Sequence, residues 1–274
     1  MNNSAGPQEA NKLVFLKLGG SLITDKRAPR TPRKDVLDRL AAEIQAGLAQ
    51  DPELKILLGH GSGSFGHTSG SLHHTREGVS SPGDWAGFSE VWADAADLHR
   101  LVMSALRGAG LPALGFPPSA SVLTHNREIA AWNLDPIRSA LENGLLPVVY
   151  GDVVFDSGQG GTILSTEDLF FYLAGAFKPQ RILLAGRDQG VCQDFPDCKH
   201  LYTEITPDDK DDLRGKVNPS EAPDVTGGMG EKVDRTLDLI SKLPDLEALI
   251  FSGEQAGNLQ LALNGGSPGT RLHS

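Results

Sequence analysis

The sequence predicts an α/β fold: a mainly parallel sheet with helices covering both faces. Short apolar runs bounded by Gly, Pro or Asn alternate with segments of helical period, and such alternation implies parallel strands joined by helical crossovers. The 274 residues, 39% apolar and rich in Gly (32) and Pro (17), suffice for a substantial core with many short connections. That length allows one large domain or two smaller ones.

In chain order, the first eleven residues, polar with Gly6-Pro7, are expected to form a disordered leader. Leu13–Leu18 reads as the first strand. Thr31-Pro32 then offers a cap and an N1 proline to a helix whose apolar stripe is Val36, Leu37, Leu40, Ala41, Ile44 and Leu48. Residues 56–58 form the next strand, and residues 88–106 a long helix with Phe88, Val91, Trp92, Ala95, Leu98, Val102 and Leu106 on one face. Residues 112–116 are a short strand. A helix starts at Asp135-Pro136 and ends at Asn143-Gly144. Leu146–Tyr150 is strongly β, and residues 153–155 with Asp156-Ser157-Gly158 suggest a hairpin. Residues 165–176 are helical, 181–185 a strand, 230–243 a helix and 248–251 a strand. The acidic segment 207–214 reads as a solvated loop.

Lys and Arg number 25 against 35 Asp and Glu, a net charge of −10, and no basic run or stripe appears. Nucleic acid is therefore excluded as a partner. No apolar run approaches the ~18 residues of a membrane span, and with no signal peptide the chain is expected to be cytoplasmic. Cys192 and Cys198 flank a turn and are expected to be unpaired thiols. The histidines outside the motifs, including His73, His74 and His125, read as surface residues.

Three glycine-rich segments carry the chemistry. His60-Gly61-Ser62-Gly63-Ser64-Phe65-Gly66-His67 follows the second strand and reads as a turn whose N–H groups and hydroxyls can face an anion. Lys17-Leu18-Gly19-Gly20-Ser21-Leu22-Ile23-Thr24-Asp25-Lys26 sets one lysine before the glycines and one after. It is neither a Walker A sequence nor a Gly-x-Gly-x-x-Gly fingerprint, which excludes a dinucleotide-dependent oxidoreductase. A lysine closing the first strand points to the sheet end where α/β folds bind ligands. Asp224-Val225-Thr226-Gly227-Gly228-Met229-Gly230-Glu231-Lys232 repeats the logic, with Lys232 in the first turn of a helix, where an anion would explain it.

Lys17-Leu18-Gly19-Gly20-Ser21 with Thr24-Asp25-Lys26, Gly63-Ser64-Phe65-Gly66-His67, Tyr150-Gly151-Asp152-Val153 and Asp224-Val225-Thr226-Gly227-Gly228-Met229 with Lys232 closely resemble the isopentenyl phosphate kinases, a branch of the amino acid kinase family. Gly257-Asn258-Leu259 and Gly269-Thr270 fit too, so the resemblance covers almost the whole chain. It implies a three-layer αβα sandwich forming a single kinase domain over residues 12–274, with an acceptor-binding part at about 12–178 and a nucleotide-binding part at about 179–274. It also implies ATP as co-substrate with Mg2+ on its phosphates and no dedicated metal cage, a small alkyl monophosphate as acceptor, and a homodimer. Such chemistry is mostly positioning and charge neutralisation.

Residue by residue, the resemblance assigns Lys17 and Gly19, Gly20 and Ser21 to the ATP phosphates and Lys26 to the transition state. Lys232 with Gly228 takes the β/γ end, Gly63 borders the nucleotide, and Asp188 lies near the base and ribose. Ser62, Gly63 and His67 would bind the acceptor phosphate with the backbone at Gly151 and Asp152, and Phe88, Val91 and Trp92 would wall the acceptor tail. An acid that orients the lysines is either Glu167 or Asp168, the second also completing a capping box with Ser165. Ser62 stands where relatives carry Gly or Ala, and Ser165-Thr166-Glu167 where they carry Ser-Gly-Asp. A kinase acting on a phosphonate such as fosfomycin, and a catalytically silent nucleotide-binding protein, are the alternatives.

Overall fold

In a computed structural model of the chain, the described residues are 12–213 and 228–274. The expected leader and residues 224–227 of the third glycine segment lie outside them. The chain runs β1 (Leu13–Leu18), α1 (Gly20–Ile23), α2 (Lys34–Gln50), β2 (Lys55–His60), α3 (Gly63–Leu72), α4 (Pro82–Gly108), β3 (Ala113–Gly115), β4 (Val122–His125), β5 (Glu128–Trp132) and α5 (Asp135–Glu142). It continues through β6 (Leu146–Tyr150), β7 (Asp152–Asp156), β8 (Gly160–Leu164), α6 (Thr166–Phe177), β9 (Arg181–Gly186), β10 (Glu204–Ile205), α7 (Lys210–Leu213), α8 (Met229–Lys242), β11 (Glu247–Ser252), α9 (Asn258–Leu263) and β12 (Gly269–Leu272).

Eight strands form the main sheet in the order β10-β12-β11-β9-β1-β2-β6-β3. Each neighbouring pair is parallel except β11 with β12. Alternation along β1 divides the core. Leu13 and Phe15 face α5, α6 and α8 in one apolar cluster, whereas Val14, Leu16 and Leu18 face α2, α4 and α9 in the other. Phe15, Leu16, Leu57 and Leu58 are fully buried, each side chain contributing about 1.5–3 kcal/mol over exposure. Two helical layers thus sandwich the sheet, the αβα arrangement that the sequence implies.

The structure departs from the sequence reading at several places. Residues 60–67 are not one turn. After Gly61 and Ser62 the backbone coils into α3, although three glycines and three serines fill its ten residues. Packing against α1 and α4 overrides their weak helix propensity. Helix α2 starts at Lys34, not at Thr31-Pro32, because Pro32 pairs with Thr24 in an antiparallel bridge. Helix α4 begins six residues before the expected Phe88, where Ser81 and Asp84 make a full capping box with Pro82 at N1.

The hairpin of β7 and β8 belongs to a second sheet, order β5-β4-β7-β8, whose β4 and β5 the sequence did not disclose. The acidic segment is not wholly a solvated loop. Residues 207–209 make a 3-10 turn and α7 follows with Leu213 buried; Arg214 lies outside the described residues. Cys192 and Cys198 are joined in a disulfide rather than free. His99 is not a surface residue, for its ring stacks on Tyr150 and His60, and His73 is tied to Glu90 at 2.8 Å.

Candidate active site

The sheet's carboxyl edge opens into a cleft lined by residues from each of the three glycine-rich segments and from the turn at Gly151. Lys17 comes from the end of β1, Gly19, Gly20 and Ser21 from the turn into α1, and Lys26 from the loop beyond it. Gly61 and Ser62 follow β2, His67 stands on α3, and Gly151 follows β6. Glu167 comes from the first turn of α6, Gly186 to Asp188 from the end of β9, and Lys232 from the first turn of α8. Parallel strands bring their carboxyl ends to one side, so segments distant in sequence converge there.

Side-chain alternation explains the most consequential contact. Lys17 shares a face of β1 with Leu13 and Phe15, and that face packs on α6, where Phe15 and Phe170 lie with ring centroids 5.1 Å apart. The start of α6 is therefore held above Lys17, and Glu167 forms an ion pair with its ammonium. Both side chains are nearly buried, 12% and 14% exposed. Burial pushes the Glu167 carboxyl up, but the charges of Lys17 and Lys232 and the hydrogen bond from Lys17 outweigh it, so the group sits below its ordinary value.

Asp168, one residue on, is occupied elsewhere. It accepts from the Ser165 N–H at 2.8 Å and hydroxyl at 2.7 Å, while the Ser165 oxygen accepts from the Asp168 N–H at 3.1 Å. Its other oxygen pairs with Arg235 at 2.6 Å. Of the two acids, Glu167 is the one that touches a motif lysine.

Besides Asp168, the expected site residues Gly63, Asp152, Gly228 and the three tail-wall residues Phe88, Val91 and Trp92 do not line the cleft. Gly63 is a packing residue: its φ is +50°, and a Cβ there would lie 2.2 Å from Thr24 Oγ1 and 2.7 Å from the Gly20 carbonyl. Only glycine fits where α1 and α3 meet so closely. Asp152 is buried, its carboxylate accepting from the Ser119 N–H at 3.1 Å and the Val153 N–H at 2.9 Å, and burial raises it to about 6. Phe88 packs with Val79, Val91 and Val153 behind Ile163, and its ring meets Trp85 and Phe155. Ile163 itself, not Phe88, reaches the cleft, while Trp92 is 46% exposed. Gly228 caps α8, its carbonyl accepting from the Lys232 N–H at 3.2 Å.

Sequence reasoning also missed residues. Glu231 and Arg235 line the cleft from α8; Arg235 sits three residues after Lys232, a spacing that shares a helix face and could have flagged it. A side compartment next to His67 is bounded by Ser62, Gly66, Gly70, Arg76, Ile163 and Ser165. Arg76 stands in no recognisable motif. Arg187 pairs with Glu254 at 3.1 Å, and Glu254 also receives both terminal nitrogens of Arg33, at 2.5 and 2.8 Å.

Comparison with known proteins agrees with this geometry. The model of the amino acid kinase family matches residues 12–252. Isopentenyl phosphate kinase of Methanocaldococcus jannaschii is 32% identical over 95% of this chain and 98% of its own length. The Haloferax volcanii isopentenyl phosphate kinase is 35% identical over 94% and 97%. A solved structure of isopentenyl phosphate kinase superimposes with a TM-score of 0.76 at 28% identity, covering 95% of this chain and 99% of that one. The chain belongs to the amino acid kinase family and, within it, to the isopentenyl phosphate kinases.

Proposed function

We propose that this chain transfers the γ-phosphoryl group of ATP to isopentenyl phosphate, giving isopentenyl diphosphate and ADP. The observation that carries this is the convergence of Lys17, Lys26 and Lys232, from three separate elements, with His67 on one cleft of an otherwise acidic protein. An acceptor phosphate oxygen attacks the γ-phosphorus in line as the bond to the β–γ bridging oxygen breaks. The acceptor is already an oxyanion, so no side-chain base is needed, and what the protein supplies is position and positive charge.

In this reading Lys17, the Gly19-Gly20-Ser21 backbone and Lys232 hold the ATP phosphates, with Asp188 toward the nucleoside. Lys26 neutralises charge on the group in flight. Ser62, His67 and the Gly151 backbone receive the acceptor phosphate, and Glu167 holds Lys17 in aim. The three cations fit a polyphosphate, and ATP would bring Mg2+ on its own phosphate oxygens, where the ion offsets repulsion between the two phosphates. The acceptor part spans roughly residues 12–178 and the nucleotide part the remainder. The working form is taken to be a cytoplasmic homodimer, which light scattering on purified protein and cell fractionation check.

A coupled assay of ADP release tests the reading. Turnover is expected with isopentenyl phosphate and magnesium, and exceeds that with fosfomycin or acetylglutamate; absence of turnover with every alkyl phosphate refutes it. His67→Ala is expected to raise KM for isopentenyl phosphate about tenfold or more while leaving KM for ATP within about twofold. An unchanged acceptor KM removes His67 from the acceptor site.

A further inference from the structure

Lys26 lies on a loop with no hydrophobic anchor: residues 26–30 are all exposed. What holds the loop is polar. The Asp25 N–H donates to the Thr31 carbonyl at 2.9 Å, closing the loop on itself. Ser64, in the first turn of α3, ties it from below. The Ser64 carbonyl accepts from the Arg30 N–H at 3.0 Å, and its hydroxyl oxygen accepts from the Thr31 N–H at 3.1 Å. The Ser64 N–H in turn donates to Thr24 Oγ1 at 2.9 Å.

The Arg30 side chain supplies the outer anchor. Its guanidinium reaches α4 and pairs with Asp94 at 2.6 Å, with Glu90 at 3.7 Å. Asp94 is an odd residue for a helix face turned to the core, since its side chain is 4% exposed between Val91 and Leu98. Among the described residues, Arg30 is the cation recorded against it. A buried carboxylate is costly unless paired, so Asp94 sets a strong preference for one seat of Arg30. Arg30 meets that demand with a left-handed backbone, φ +49°, a conformation that a non-glycine residue adopts only where its surroundings compensate. Glu90 is held at its other oxygen by His73 Nε2 at 2.8 Å, from the end of α3.

We propose that Arg30 and Asp94 form a positioning clamp that sets Lys26 in the cleft. The clamp fastens the lysine loop to α4 and, through Ser64, to α3, the helix that also carries His67. It thereby fixes the transition-state lysine relative to the acceptor side of the site. Neither residue touches substrate; both act through Lys26. This rests on the phosphoryl-transfer reading above.

Asp94→Asn and Arg30→Gln, singly and together, are compared with the unaltered chain in steady-state kinetics with ATP and isopentenyl phosphate. Each single variant is expected to lose about tenfold to a hundredfold in kcat, with KM for ATP within about twofold. The double variant should be no worse than the weaker single, because the pair acts as a unit. Arg30→Lys keeps the charge and should recover part of kcat. Hydrogen exchange at the Arg30 and Thr31 amides should accelerate in Asp94→Asn, which preserves side-chain shape and therefore packing. Unchanged kcat, losses that multiply in the double variant, or unchanged exchange at these amides would each overturn the clamp. If the unaltered chain phosphorylates no alkyl phosphate, the functional reading falls, and the exchange data alone decide whether Asp94 seats the loop.

Discussion

Glu167 and Asp168 are adjacent acids with separate tasks, and the helix start assigns them. Ser165 occupies the cap, which places Asp168 at the third helical position, where its carboxylate returns to the cap N–H. The second position then points about 100° away around the axis, toward Lys17. Glu167→Gln removes the charge that holds Lys17, and kcat is expected to fall about tenfold to a hundredfold, with stability falling as well because the nearly buried Lys17 ammonium loses its partner. Asp168→Asn should spare kcat, lowering unfolding free energy by about 1 kcal/mol through the lost capping interaction. Urea denaturation and the coupled assay, run on both variants, check the pair; equal effects of the two on kcat would contradict the division of roles. The capping box itself was legible in the sequence. That Glu167 rather than Asp168 meets Lys17 was not, because the two partners stand 150 residues apart.

The junction of α1 and α3 governs the elements around the cleft. A Cβ on Gly20 would lie 2.4 Å from the Gly63 nitrogen, and one on Gly63 would lie 2.7 Å from the Gly20 carbonyl oxygen. These are backbone clashes, which no rotamer change relieves, so the two helices approach only because both positions lack a side chain. Gly20→Ala is expected to cost more than about 2 kcal/mol and to lower activity with every acceptor, since Gly20 lines the cleft while Gly63 holds α3 in place. Thermal melts read the first effect and the coupled assay the second. The glycine spacing drew attention to both residues from sequence, but as phosphate contacts. For Gly63 the packing role was hidden, because α3 has too many glycines and serines to read as a helix; its stability comes from neighbours.

Across the whole molecule, a buried aromatic stack joins β2, α4 and β6. His60 and His99 lie with ring centroids 5.4 Å apart, and Tyr150 stacks on both, at 5.3 and 4.2 Å. His60 Nδ1 faces the Gly61 carbonyl at 3.1 Å and must donate to it, so Nε2 accepts from His99 Nδ1 at 3.1 Å. Burial, aided by the neighbouring imidazole, lowers His60 to about 3, and burial lowers His99 to about 4. Below pH 6.5 the unfolded chain takes up protons that these folded histidines refuse, so their contribution to stability is complete above that pH and is lost on acidification. Asp152, raised to about 6, works in the opposite sense and offsets one of the two between about pH 6 and 4. A net loss of about 1.4 kcal/mol per pH unit is expected over that interval. His99→Gln should flatten it, as read from urea midpoints taken at pH 7, 6 and 5; a slope that the substitution leaves unchanged would exclude the stack as its source. Apolar period and glycine–lysine punctuation, both local properties of the chain, were enough for the sequence by itself to determine the parallel core strands, the helical cover on both faces and the lysine motifs, and the kinase family followed from the resemblance those motifs carry. Tertiary structure alone decided which acid meets Lys17, that residues 63–72 coil into a helix, that Phe88 stands behind Ile163, and that His60 and His99 are hidden from water. Each of these depends on how one element is rotated and seated against another far along the chain, and no local pattern encodes that.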